Sequence, residues 1–263
     1  MIPGRFFLAN LVERRSLIAQ LVRRDFDQRF AGSIGGWLWG LVHPLVLLLS
    51  YSFVFGVCLG MNQRTPNYPF FLFAGMLPWL LFSETVQRSA SGLIDQANLI
   101  TKTVFPAEVV PVSIFLSSLV SHLMALGMVV IAIGMWLNHL SPALLVLPVY
   151  TFLLGLFAIG IGWIFSSLQV YLRDTAQILS VILTAWFWLT PIFITEDQIP
   201  AGLRFLLGAN PVAFAVRAYR DMLLSYRSPD WSDLGWFTVY AVGAFFLGGL
   251  FFRHMKRGFA DVL

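Results

Sequence analysis

Polar and apolar positions in this chain are sorted into long blocks rather than interleaved. From Val109 to Leu172 there is no Asp, Glu, Lys or Arg. A hydrocarbon core about 30 Å thick takes roughly 20 helical residues to cross. This block therefore holds two crossings, with a turn at Asn138-His139-Leu140-Ser141-Pro142. Phe30–Gln63, Thr65–Ser83, Thr175–Thr195 and Leu234–Phe252 are also uncharged, and each is long enough to span. The pattern predicts six spans at 35–60, 68–87, 109–137, 143–165, 175–195 and 234–252. Helices are expected because barrel strands would alternate over about ten residues. Prolines 44, 78, 111, 148 and 191 predict bent or broken helices, tolerated where neighbouring protein satisfies the freed backbone groups. The expected fold class is an all-α membrane protein, with residues 34–263 forming a single six-span domain.

Three segments lie outside the spans. In the N-terminal 1–33, expected to be cytoplasmic, Leu17, Ile18, Leu21, Val22 and Phe26 fall on one helical face. Arg14, Arg15, Arg23, Arg24 and Asp27 fall elsewhere, which predicts an amphipathic interface helix at the membrane surface. It serves either headgroup anchoring alone, or also contact with a cytoplasmic partner or an anionic lipid through Arg23, Arg24, Asp25 and Arg29. The inner loop 88–106 has Leu93, Ile94, Ala97 and Ile100 at helical spacing, which predicts a short helix parallel to the membrane. Such a helix can transmit force from a cytosolic protein, with Leu93, Asn98, Lys102 and Phe105 as its candidate contacts. The outer segment 196–233 carries too many large apolar residues for a solvated loop. It predicts two short re-entrant helices between spans five and six, broken at Gly208-Ala209-Asn210-Pro211. A cytoplasmic tail follows at 253–263.

Composition agrees: 58% of residues are apolar and 11% charged in a 29.6 kDa chain, more apolar weight than a soluble domain that size can bury. With the N-terminus inside, twelve basic residues fall in cytoplasmic segments and five outside, which places both termini in the cytoplasm. The first apolar run is too long for a signal peptide. The net charge of +4 follows from this topology, and no nucleic-acid partner is implied. The single cysteine, Cys58, excludes a disulfide framework, and the four histidines show no metal-ligand spacing. No phosphate-binding loop or nucleophile elbow is present, so no catalytic residue, metal or cofactor is expected in this chain.

Ionisable residues cluster at the inner ends of the spans. Glu84 and Arg88 are four apart and can pair along one helix face. No chain of carboxylates crosses the midplane, which counts against a proton-coupled transporter or a flippase acting alone. Trp37, Tyr51 and Phe53 in the first span, with Trp186 and Trp188 in the fifth, are candidates to line a channel, where rings can stack on sugars. Belt residues facing lipid are the alternative reading of the same rings. Gly32, Gly36 and Gly40, with Gly56 and Gly60, have small-xxx-small spacing that suits either a dimer seam or internal packing.

Several strings together resemble one family. Arg24-Asp25-Phe26…Arg29-Phe30-Ala31-Gly32-Ser33…Gly36-Trp37-Leu38-Trp39…Pro44-Leu45 resembles the entry to the first span of type 2 ABC permeases that export polysaccharides. Phe73-Ala74-Gly75-Met76-Leu77-Pro78-Trp79 is similar to their second span, and Asn98-Leu99-Ile100…Lys102…Phe105-Pro106 to their coupling loop. Arg173-Asp174, Leu189-Thr190-Pro191-Ile192, Asn210-Pro211, Tyr219-Arg220 and the tail Phe259-Ala260-Asp261-Val262 continue the likeness in order. His43 and Thr103 depart from it, standing where the family often has Asn and an apolar residue. The blocks look more like the O-antigen and teichoic-acid exporters than the capsule exporters, and drug or lipid exporters of the same architecture are the nearest rival.

The resemblance implies a permease in a bacterial inner membrane that pairs with a second copy of itself and docks two copies of a separate ATPase. ATP and Mg would be bound by that partner, with 93–106 carrying its motion into the spans. The substrate implied is a lipid-linked polysaccharide moving from cytoplasm to periplasm. Arg217, Tyr219 and Arg220 are then candidates for an outer gate that holds a pyrophosphate, a group matched by the arginine fork.

Overall fold

The computed structural model describes residues 14–30, 35–102, 105–137, 141–225 and 227–262, and among these there is helix and no strand. The turn expected at Asn138-His139-Leu140, and Gly32, Ser33 and Thr103, lie outside the described residues, as does the side chain of Trp37. Helix α1 spans Arg15–Phe30. Helix α2 spans Trp39–Tyr51 and runs on as a π-helical stretch over Ser52–Cys58. There follow α3 (Tyr68–Asp95), α4 (Ala97–Lys102), α5 (Val109–Trp136), α6 (Leu147–Tyr171) and α7 (Thr175–Leu189). The chain ends with α8 (Pro211–Arg220), α9 (Trp231–Met255) and the short α10 (Phe259–Val262).

Among the described residues four helices are long and apolar enough to cross a membrane: Tyr68–Asp95, Val109–Trp136, Pro142–Tyr171 and Trp231–Gly258. Val42–Cys58 and Thr175–Leu189 are apolar but shorter. The second apolar block runs on as helix to Asp95 rather than ending near 87, because polar residues after Glu84 interrupt the hydrophobicity without interrupting the helix. Helix starts follow local chemistry. Ser141, Asn210 and Asp230 each accept a bond from a backbone N–H two residues on, ahead of Pro142, α8 and α9 respectively.

Only two of the five prolines lie in a helix interior, and both helices run on through them. Pro44 and Pro78 are interior to α2 and α3. Pro111 and Pro148 sit in the first turns of α5 and α6, where a missing N–H costs nothing, and Pro191 follows the end of α7.

Helix α6 packs between α3 and α9, α5 covers another side of α3, and α8 is wedged against α3, α6 and α9. The closest helix approach is made by glycines other than those the spacing pointed to. A Cβ on Gly160 would lie 2.3 Å from the Ala244 carbonyl oxygen, and one on Gly248 would lie 2.1 Å from that of Gly160. Backbones of α6 and α9 therefore meet directly. Gly36 and Gly60 instead occupy the left-handed region, at φ 50° and 70°, and serve turns at the two ends of the α2 segment.

Candidate functional site

A cavity of about 760 Å³ opens between α2, α3, α5 and α7. Its walls combine the rings of Trp39, Tyr51, Trp79 and Phe187 with the polar groups of Ser83, Gln87, Ser118, Ser121, Ser180 and Thr184. His43 and His122 also face it, and Arg29 and Glu84 stand at one wall. Such a lining can hold a ligand that presents both C–H faces and hydroxyl groups.

Four charged groups tie α1 to the cavity wall. Arg29 is paired with Glu84 and donates to Ser121 Oγ at 3.1 Å. Arg88 is paired with Asp25 and approaches Glu84 at 3.6 Å. Ser118 donates to Glu84 at 3.0 Å, and Ser117 donates to Asp25. The i, i+4 pair of Glu84 and Arg88 is thus part of a larger network whose other members come from α1 and α5. The interface helix does not stand alone. Asp25 meets Ser117 and Arg29 meets Ser121 at the same sequence offset, so α1 runs alongside α5 in the same direction. Of the other interface-helix candidates, Arg24 reaches Gln96 at 2.5 Å and Arg23 is an exposed i, i+4 partner of Asp27 at 3.8 Å.

A second polar line links the cavity to the segment 196–233. His122 shares a hydrogen bond of 3.0 Å with the Tyr219 hydroxyl, which is 2.7 Å from Thr151 Oγ1. Tyr219 is fully buried. Next to it, Arg220 lies 3.6 Å above the Phe71 ring. It donates to the carbonyls of Phe71 at 3.3 Å, Pro191 at 2.6 Å and Ile192 at 2.5 Å. Its donors are directed at the irregular backbone that follows α7, in a pocket kept open by Gly75, where a Cβ would come within 2.7 Å of the guanidinium. Arg217 pairs with Glu196 at 2.6 Å and with Asp233, and lies over Phe214. Burial raises the carboxyl of Asp221, just past α8, above the ordinary range, opposed by the positive charge of Arg217. Arg217, Tyr219 and Arg220 are therefore all engaged within the chain.

The aromatic candidates separate. Tyr51 lines the cavity, but Phe53 is 61% exposed and is not among the lining residues. Trp186 packs against Phe82 and Phe157 and donates to Asn210 at 2.9 Å, while Trp188 is exposed and stacked on Phe193. Phe187, between them, is the ring that faces the cavity. Trp79 and His122 are lining residues that the aromatic pattern of the first and fifth spans does not single out. A usable signal existed for His122, since Ser117, Ser118, Ser121 and His122 place polar groups on one face within the longest uncharged block.

In the inner loop the expected short helix is α4. Asn98 and Lys102 on it are exposed, Phe105 is half-buried, and Leu93 is wholly buried at the end of α3. The tail closes over this end: α10 packs on α4, Lys256 reaches the buried Glu108 at 2.6 Å, and Tyr171 donates to the Met255 carbonyl at 2.9 Å. Among the described residues no group of His, Cys, Asp or Glu could hold a metal.

Residues 16–224 match the sequence pattern of the ABC-2 type transporter family. The chain is 30% identical over 256 residues to the O-antigen export system permease protein RfbA of Myxococcus xanthus, covering 95% of this chain and 96% of that one. It is 29% identical to the protein of the same name from Klebsiella pneumoniae, covering 94% and 95%. Identity to the polysialic acid transport protein KpsM of Escherichia coli is 23%, covering 90% and 92%.

Proposed function

Since this chain belongs to the ABC-2 type transporter family, we propose that it is the membrane permease of an ATP-driven exporter that moves a lipid-linked, O-antigen-like polysaccharide out of the cytoplasm. The observation that carries this reading is the likeness to O-antigen export permeases along 95% of the chain. Capsular polysaccharide is the second reading, favoured by the weaker likeness to the polysialic acid transporter. The permease is not itself catalytic. ATP and Mg belong to a separate ATPase, two copies of which serve a pair of permeases.

The shorter apolar helices join the four long ones as spans one and five, giving six crossings of the bacterial inner membrane with both termini on its cytoplasmic side. Segment 196–233, including α8, dips into the outer leaflet as re-entrant helices. The 760 Å³ cavity is half of a passage completed by the second copy. Its rings stack on the C–H faces of sugars, and its hydroxyl and amide groups exchange hydrogen bonds with a moving chain. Exposed apolar residues on α2 and α7, such as Leu49, Val181 and Ile182, suit contact with that copy or with lipid.

Coupling enters through α4, with Asn98 and Lys102 exposed to the ATPase and Leu93 and Phe105 anchoring it. At the inner end, Arg29 of the ionic network stands where a pyrophosphate could exchange for Glu84. At the outer gate Arg220 holds backbone carbonyls while Arg217 and Tyr219 are engaged by side chains, so a pyrophosphate could recruit a donor there only by displacing these contacts.

The test is purification of the tagged chain from its own host membranes, paired with deletion of its gene. The reading expects an ATPase in a one-to-one ratio with the permease, Mg-dependent ATP hydrolysis, and loss of long polymer from the cell surface in the deletion strain. A chain that purifies without an ATPase, from cells whose surface polymer is unaffected by the deletion, overturns it.

A further inference from the structure

A second groove, of about 710 Å³, lies between α1 and α5 and shares no lining residue with the cavity. One wall is Ala19, Val22 and Phe26 of α1, and the other is Leu116, Leu119 and Leu123 of α5. Because the two helices run side by side, the groove is a lengthwise slot rather than a round pocket. The charged groups along it are Arg15, Arg23 and Asp27. Helix α1 divides its charges between two tasks. Arg24, Asp25 and Arg29 hold it to α3 and α5. Arg15 has no ion pair among the described residues, and Arg23 has only the solvent-exposed Asp27 at 3.8 Å. Exposed i, i+4 pairs of that kind are weak, so a better anion can take Arg23 away from Asp27.

We propose that this groove binds one anionic phospholipid, an acyl chain lying between α1 and α5 and its phosphate held by Arg15 and Arg23. The walls offer hydrocarbon and almost no hydrogen-bond partner, which excludes ordered water and a peptide or sugar strand whose polar groups would be stranded there. The volume of this open groove lies in the range of small-ligand clefts. The two arginines are about 12 Å apart along the helix axis, on the rim rather than in the slot. Their donor forks suit phosphate oxygens better than a neutral headgroup. The rim carries two positive groups against one negative, so charge favours an anionic lipid over a zwitterionic one. Bound there, the lipid would hold α1 against α5 beside its ionic network, filling a slot that the protein itself leaves unfilled among the described residues.

The experiment uses the full chain in nanodiscs of neutral lipid doped with a phosphatidylglycerol or a phosphatidylcholine that carries a photoreactive group on its acyl chain. After illumination, labelled peptides are mapped by mass spectrometry. The glycerol lipid should label the stretches 19–26 and 116–123 in preference, by roughly five-fold for each arginine engaged. The double variant Arg15→Gln/Arg23→Gln should lose the preference, and Arg15→Lys/Arg23→Lys should keep most of it. In the unmodified chain, salt near 0.5 M should shrink the preference, so the idea stays testable if the glutamine variant does not fold. Equal labelling by the two lipids, or a preference unchanged by salt or by the glutamine variant, overturns the site. Labelling that appears only after removal of residues 1–13 also overturns it, by assigning the groove to that segment of the chain.

Discussion

Arg220 shows how one residue can hold an irregular piece of backbone beside packed membrane helices. Its guanidinium satisfies carbonyls of Phe71, Pro191 and Ile192 and stacks on Phe71, and it fits only because residue 75 has no side chain. Gly75→Ala should therefore displace the guanidinium and unpair buried carbonyls, destabilising the chain by about 1–3 kcal/mol. Arg220→Lys should not substitute, since an ammonium lacks the planar fork that reaches three acceptors. Thermal unfolding of the detergent-solubilised protein, followed by size-exclusion fluorescence, measures both; an unshifted midpoint for Gly75→Ala would remove the argument. This pairing was not legible in the sequence, because Arg220 and Gly75 are 145 positions apart and Arg220 reads there as a candidate for holding a pyrophosphate, with nothing to tie it to backbone near residue 75. Glu84 and Arg88 were legible, since four-residue spacing is local geometry. Their partners Asp25 and Arg29 were not, because the parallel placement of α1 on α5 is a tertiary fact.

Among the elements, periodicity found the short helix of the inner loop, now α4, but not which of its neighbours are free to meet a partner. Leu93, Asn98, Lys102 and Phe105 were grouped as candidate contacts of the loop, whereas the fold separates them by burial. Leu93 has no exposed surface and belongs to the core, so Leu93→Ala should cost about 2–5 kcal/mol and act by lowering the amount of folded protein. Lys102→Glu removes nothing from the core and should leave thermal stability unchanged while export falls relative to ATP hydrolysis. Measuring both rates in proteoliposomes with the ATPase separates the cases. Full coupling in Lys102→Glu would move the docking surface away from α4. The helix ends and prolines teach a similar lesson. Hydrophobic blocks mark what can sit in lipid, but α3 continues as helix beyond its block, and Pro111 and Pro148 begin helices instead of breaking them.

At the scale of the whole molecule the decisive ambiguity was rotation. Trp186, Phe187 and Trp188 are consecutive, and a helix turns about 100° per residue, so they must point in three directions. Which direction is inward depends on neighbours that no local pattern names. Trp186 points into the packing against Phe82 and Phe157, Phe187 into the cavity, and Trp188 outward with 59% of its surface exposed. The three positions therefore make an internally controlled experiment on the proposed passage. Phe187→Ala should change the rate or length distribution of exported polymer by more than its loss of stability explains, because the ring borders the cavity while also packing on Tyr51, Trp79 and Phe193. Trp186→Ala removes a half-buried ring and its bond to Asn210, so it should cost stability, by up to about 3 kcal/mol, without a change in polymer beyond that loss. Trp188→Ala should affect neither strongly unless the outward face contacts the second copy, in which case its effect will appear in the dimer's dissociation rather than in transport. If polymer export responds to Trp188 and ignores Phe187, the cavity between α2, α3, α5 and α7 is not the passage, and the route must be sought along the outer face of α7 instead.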